Sequence, residues 1–120
     1  MPKYVDGFVI PVPKKNLAAY KKMAQLGAQV WRDHGALEYF ECVGDDLKAP
    51  IGIPFGKLVK LKPSETVVFA FIVYKSRAHR DRVNAKVMKD KRILDMDHTK
   101  MPFDHNRMSF GGFETMVEGK

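Results

Sequence analysis

The chain has 120 residues, 45% apolar and 29% charged, with one cysteine and a formal net charge of +7. That is the composition of one globular domain spanning residues 1–120, which buries roughly two thirds of its unfolded surface. It excludes a helical membrane span, which needs roughly 20 consecutive apolar residues. It also excludes an internal disulfide, because Cys42 has no partner, so a reducing, cytoplasmic setting is expected.

In chain order, Tyr4 to Val12 predicts a strand, with Tyr4, Asp6, Phe8 and Ile10 on one face and Val5, Gly7 and Val9 on the other. Asp6 and Gly7 interrupt this segment too early for the apolar core of a signal peptide. Pro11 and Pro13 close it. From Lys14 to His34 the period becomes helical: Leu17, Tyr20, Met23 or Ala24, Gly27, Val30 and Trp31 form one stripe. Gly35 stands where a left-handed C-cap belongs. Ala36 to Val43 predicts a second strand, Gly44 to Gly56 a loop or flap, and Lys57 to Leu61 a short extra strand or hairpin arm.

Pro63-Ser64-Glu65 is a turn before Thr66 to Tyr74, which is apolar on both faces and so belongs at the centre of a covered sheet. Ser76 is the expected N-cap of a helix running to about Lys89, with Val83 and Val87 in a thin apolar stripe. Ile93 to Lys100 predicts a short helical turn, and Met101 to Asp104 a loop. Arg107 to Val117 is the last strand, bent at Gly111-Gly112, since glycines inside a strand mark a bulge or a close approach.

The order β-α-β-β-α-β predicts an α+β protein with a ferredoxin-like antiparallel sheet and both helices on one face. Such a plan sets the first and last strands side by side, and Asp6-Gly7-Phe8 and Gly111-Gly112-Phe113 share a Gly-Phe step. The helices cover one face only, whereas the central strand is apolar on both. An exposed apolar patch of several hundred Å² is unusual on a soluble monomer. A second copy packed sheet against sheet, an isologous homodimer, is therefore the expected partner.

Several local motifs then carry a family resemblance. Tyr4-Val5-Asp6-Gly7-Phe8, Gly35-Ala36-Leu37, Glu41-Cys42 and the segment Met101-Pro102-Phe103-Asp104…Arg107-Met108…Gly111-Gly112-Phe113-Glu114 resemble the YbaA-like family of small bacterial proteins, nearly end to end. The resemblance implies a dimeric α+β barrel, a group that includes cofactor-free monooxygenases, haem-degrading enzymes, muconolactone-isomerase-like proteins and stress-response proteins. It implies no particular reaction.

Asp6 is the first candidate for chemistry, because a carboxylate in an apolar cleft has a raised pKa and can act as a general base. Its alternative is an ion pair with Arg107 or Lys3. Asp104 and Arg107 come next: Asp104 caps a turn or joins Arg107 in orienting an anionic or carbonyl-bearing ligand, a task suited to the two-pronged guanidinium. Arg107 has Asp104 and Glu114 as alternative ion-pair partners, and Glu114 beside the glycines is a fourth polar candidate. Tyr4, Phe8, Phe103 and Phe113 are the apolar walls of the expected ligand site. Cys42 reads as a buried, inert thiol, since the sequence places no cation or base beside it to lower its pKa, with an approach by His34 or His105 as the alternative.

Asp95, Asp97, His98, Asp104 and His105 cluster within eleven residues, but their spacing matches no established metal site, and no metal or other cofactor is expected. Arg77, Arg80, Arg82, Lys86, Lys89, Lys91 and Arg92 form one basic group, and Lys14, Lys15, Lys21 and Lys22 another. Without a basic tail, zinc-finger spacing or RNP-type aromatics, these read as solvated helix faces rather than a nucleic-acid surface. The expected function is the binding of a small, partly apolar molecule, with cofactor-free acid/base or oxygen chemistry as its catalytic form. A non-catalytic, stress-related binding protein and a weak RNA- or DNA-binding protein are the alternatives.

Overall fold

A computed structural model gives the structure of residues 2–119; Met1 and Lys120, the ends of the expected domain, lie outside the described residues. Four strands, β1 (Tyr4–Pro13), β2 (Glu38–Val43), β3 (Glu65–Tyr74) and β4 (Ser109–Glu114), form one sheet in the order β2-β3-β1-β4. All three pairings are antiparallel. Helices α1 (Leu17–Asp33) and α3 (Arg77–Val87) complete the ferredoxin-like α+β plan, and two single-turn helices, α2 (Phe55–Leu58) and α4 (Lys91–Leu94), supplement it. Among the described residues no helix is long and apolar enough to cross a membrane.

The strand register sorts the side chains into two faces. Tyr4, Asp6, Phe8, Ile10 and Val12 stand opposite Tyr74, Ile72, Ala70, Val68 and Thr66. These residues face the helices, and most of them are buried. On α1 the buried stripe is Tyr20, Ala24, Gly27 and Val30, at the helical spacing read from sequence. On α3 it is Val83 and Val87. Together they form two adjoining clusters, one around Val30, Ile72, Tyr74 and Val83, the other around Ile10, Val12, Tyr20 and Val68.

The helix ends follow their capping chemistry. At the C-terminus of α1, Gly35 adopts φ 110°. The Gly35 N–H donates to the Arg32 carbonyl at 3.1 Å and the Ala36 N–H to the Trp31 carbonyl at 3.0 Å, the paired bonds of a Schellman motif. The Ser76 hydroxyl accepts from the His79 N–H at 3.1 Å and starts α3. Asp90 does the same for α4 through the Arg92 N–H at 2.9 Å, so that helix begins at Lys91, ahead of the expected Ile93.

Two expectations need correction. Lys57 to Leu61 is no strand: Pro54 starts α2, whose last turn ends at Lys60 with φ 52°. Five residues between Pro54 and Pro63 are too few for period to separate a strand from a helical turn. The last strand is also shorter than Arg107–Val117, and it has no bulge. Tyr4 to Val9 pair in unbroken register with Glu114 to Ser109, with Gly7 opposite Gly111 and Asp6 opposite Gly112. Arg107 lies before the strand in a 3₁₀ turn, because Asp104 accepts from the Asn106 N–H at 2.9 Å and caps that turn.

The glycines serve close approach instead of bending. A Cβ on Gly112 would stand 2.6 Å from Arg80 Nη2 and 2.7 Å from Tyr4 Cε2. A Cβ on Gly111 would only touch the Phe113 ring at 3.6 Å, an ordinary contact. That ring lies over the Gly7–Gly111 pair on the face turned away from the helices.

The centre of that second face is open, while Pro11, Val67 and Val73 toward its ends are buried. Phe40 stacks on Phe71 with centroids 5.2 Å apart, Phe71 meets Phe69 at 6.0 Å, and Phe55 of α2 meets Phe69 at 6.3 Å. Phe40, Phe69 and Phe113 nevertheless keep 49%, 44% and 61% of their surface exposed, which makes this a continuous aromatic patch rather than scattered residues.

Candidate functional site

Between α1, α3, α4 and the covered face of the sheet lies a cavity of about 600 Å³. Its floor is Phe8, Ile10, Ala70, Ile72 and Phe110 from the strands, and its side is Tyr20, Ala24, Gly27 and Trp31 from α1. Met23, Met88, Met96, Met101 and Met108, five of the chain's seven methionines, also line it. Unbranched thioether side chains pack adaptably around differently shaped apolar bodies. This size and lining are typical of small-molecule sites.

Glu41 is the best-defined polar group on this wall. Alternation along β2 turns Tyr39 and Glu41 to the same side, opposite Ile72 and Ala70 of β3. The Tyr20 hydroxyl donates to Glu41 Oε1 at 2.5 Å and the Tyr39 hydroxyl to Oε2 at 2.6 Å. Both phenol pKa values are raised, mainly by burial and further by the neighbouring Glu41 carboxylate, so both remain O–H donors. Gly27 makes this geometry possible: a Cβ there would meet the Tyr39 hydroxyl at 2.9 Å.

Asp6 is the second polar group. It is 2% exposed in mid-strand and faces Arg80, one turn into α3, with Nε 3.4 Å from Oδ1. Neither atom makes a hydrogen bond among the described residues. Arg80 also bonds the Tyr4 hydroxyl at 3.1 Å, lies 4.8 Å over the Tyr4 ring, and pairs with Asp81 at 3.2 Å. The bare backbone of Gly112 leaves room for this Tyr4–Arg80 contact. Nearby, Trp31 Nε1 donates to Asn84 Oδ1 at 3.0 Å and the Tyr74 hydroxyl donates to the same oxygen at 3.3 Å. Burial, and then the Asp6 charge, raises the Tyr74 pKa.

The sequence candidates separate in space. Asp6 and Phe8 line the cavity, and Phe8 stacks on Phe110 at 5.5 Å. Phe103 packs edge-on against Tyr20 at 5.7 Å, and Tyr4 is a buried core residue bound to Arg80. Asp104 is exposed and serves as a turn cap. Arg107 pairs with Glu65 and donates to the Lys60 and Val59 carbonyls at 3.0 and 3.3 Å, tying the end of the 44–62 connection to the turn before β4. Neither Asp104 nor Glu114 is its ion-pair partner, and Asp6 pairs with neither Arg107 nor Lys3. Glu114 borders a small surface depression with Pro2, Tyr4 and Ser76. Phe113 is on the open face. Cys42 is exposed rather than buried as expected, because alternation along β2 turns it with Phe40 away from the helices.

Of the acidic and histidine residues clustered in sequence, Asp95 pairs with Lys91, Asp97 accepts from Thr99, and His98 bonds the Ile93 carbonyl. Among the described residues no three His, Cys, Asp or Glu side chains converge on one point.

The sequence reading missed Tyr20, Tyr39 and Asn84 as a polar set, and it noted Glu41 only as a neighbour of Cys42. A usable signal existed in Tyr39-Phe40-Glu41, where alternation turns the two polar tips of β2 to the helix side while Phe40 points away. Arg80 was counted among the solvated charges of its helix, since nothing along the chain marks it as the partner of Asp6.

Comparison with known proteins agrees with this architecture. Residues 3–105 match a family described as a protein of unknown function, DUF1428. The chain is 40% identical over 116 residues to the uncharacterized protein YbaA of Escherichia coli K12, covering 97% of this chain and 98% of that one, and equally to YbaA of Shigella flexneri. Among solved structures, a dimeric ferredoxin-like protein from an uncultured marine organism aligns over 99% of this chain and 100% of its own. Its TM-score is 0.57 at 11% identity, a likeness of fold alone.

Proposed function

The chain belongs to the DUF1428 family, and from that premise we propose that it is a homodimeric protein that binds a small, partly apolar molecule in the cavity between helices and sheet. One observation carries the ligand reading: a cavity of about 600 Å³ with aromatic and methionine walls holds a carboxylate, Glu41, fixed in place by two tyrosines. Orienting hydrogen bonds on an otherwise apolar wall are what a specific small-molecule site needs. The dimer reading is supported by the open aromatic face around Phe40, Phe69 and Phe113, by exposed Ile51 and Ile53 in the 44–56 connection, and by the dimeric state of the ferredoxin-like protein of similar fold.

Cofactor-free proton transfer is the second reading. It is favoured by Asp6, which lines the cavity and whose Oδ1, beside Arg80, makes no hydrogen bond among the described residues. Nucleic-acid binding has less support, because Arg80, Lys91 and Arg92 of the basic segment are engaged in ion pairs with Asp6, Asp95 and Asp90.

Native mass spectrometry of gently purified protein tests both parts of the proposal. A dimer carrying a small-molecule adduct is the expected result. A strictly monomeric mass at micromolar concentration overturns the dimer. Absence of any adduct, together with no fluorescence gain from an uncharged apolar dye such as N-phenyl-1-naphthylamine, overturns the ligand reading.

A further inference from the structure

The cavity lacks the fixed positive charge of the molecule. The chain carries +7 overall, yet among the described residues no lysine or arginine lines the cavity; its ionisable lining is Asp6, Glu41, His98, which is bonded to the Ile93 carbonyl, and His105. Asp6 is offset by Arg80 at 3.4 Å. Glu41 has no such cation in any ion pair of the described residues. Its two oxygens are held by neutral hydroxyls at 2.5 and 2.6 Å, which orient the carboxylate without cancelling its charge.

An ionised carboxylate offers about four acceptor positions, and the two tyrosines occupy one on each oxygen. Both phenolic protons are committed to Glu41, so what this wall still offers a ligand is acceptor capacity. Glu41 is half-buried, and a carboxylate partly withdrawn from water without a counter-charge carries a desolvation cost that a cationic ligand offsets. The neighbouring rings favour the same charge: Trp31 and Tyr39 stand 6.1 Å apart at the cavity wall, and ring faces attract cations.

We propose that the cavity takes an organic cation, an aromatic or similarly apolar body bearing a protonated amine or amidine that pairs with Glu41 between Tyr20 and Tyr39. The assignment rests on the cavity being a ligand site and adds the class of ligand.

Calorimetric titration of the full chain with three matched probes, phenethylamine, phenethyl alcohol and hydrocinnamate, tests it. A charge-assisted hydrogen bond is worth about 1.5–3 kcal/mol. The amine is therefore expected to bind about ten- to a hundredfold more tightly than the alcohol, and hydrocinnamate more weakly than either. Glu41→Gln, checked for an unchanged unfolding transition, is expected to remove the preference for amine over alcohol. The wild-type ranking stands as a test whether or not that variant folds. Equal affinities, a preference for hydrocinnamate, or no binding of the amine overturns the assignment. The uncharged apolar dye N-phenyl-1-naphthylamine then separates the two levels: dye fluorescence lost on Ala24→Trp leaves the cavity reading intact, and a dye that stays dark with the wild type overturns that reading too.

Discussion

The two faces of the sheet are built from the same strands, yet they solve different problems. On the helix side Tyr4, Asp6 and Tyr74 bring polar atoms into the interior, and each is met by a partner on a helix: Arg80 for Tyr4 and Asp6, Asn84 for Tyr74. On the open side the centre is Phe40, Phe69, Phe71 and Phe113 around a glycine pair, with little that needs a specific partner. A face with buried polar groups requires particular neighbours at particular distances. A face made of rings requires only to be covered. The first is suited to holding a chosen molecule, the second to meeting its own copy.

The sharpest way to break this contrast is to place the same charge on each face of β3. Ile72→Asp puts a carboxylate into the helix-side core beside Asp6, where an unpaired buried charge costs several kcal/mol out of a total stability of about 5–15 kcal/mol. Loss of cooperative folding by circular dichroism is expected. Phe69→Asp, one of the exposed open-face rings, is expected to leave the fold intact and to give a monomer by light scattering. If Phe69→Asp stays dimeric, the open face is not the dimer surface.

A smaller pair of effects comes from the adjacent glycines. Gly112→Ala forces Tyr4 and Arg80 aside and is expected to lower stability by about 1–3 kcal/mol, read from the urea midpoint. Gly111→Ala meets only the Phe113 ring at contact distance, so its change should stay within about 0.5 kcal/mol. Equal losses would show that both positions are limited by strand backbone alone.

Tyr39→Phe removes one of the two hydrogen bonds that hold Glu41 and should cost about 1 kcal/mol, measured by the same unfolding curves. The smallest expected effect is confined to acid. Asp90 is held well below the usual carboxylate value of 3.8, first by its bonds to Arg92 and then by His34 at 2.7 Å. Because its folded pKa is depressed, the stability it contributes is present above pH 3.8 and is lost as pH falls further, through the folded value. Melting temperatures of wild type and Asp90→Asn should therefore differ near neutrality and converge at low pH.

Much of the architecture was legible in the sequence because it rests on periodicity. The two-sided apolarity of Thr66–Tyr74, the stripe from Tyr20 to Val30, and the Gly35 and Ser76 caps each encode their structure locally. The candidate site was legible only in part. Asp6 and Phe8 could be placed on one strand face by alternation alone. Joining Asp6 to Arg80, or Tyr20 to Glu41, requires knowing how each helix crosses the sheet, and that is set by packing between segments 21 to 74 residues apart. Lys57–Leu61 failed for a related reason: the left-handed turn at Lys60 is held by distant atoms, including the Arg107 guanidinium on its carbonyl.

Gly112 has a further consequence for how the chain assembles. β4 is an edge strand that pairs with β1 alone, so its alignment rests on that one pairing and its flanks. Sliding it by one residue would exchange its two faces. Sliding it by two would set Phe110 or Glu114 opposite Asp6, a bulky ring or a like charge in the space that Tyr4 and Arg80 fill. The residue with no side chain thus acts as the keyhole of the sheet, admitting the closing strand in one alignment and rejecting its near misses.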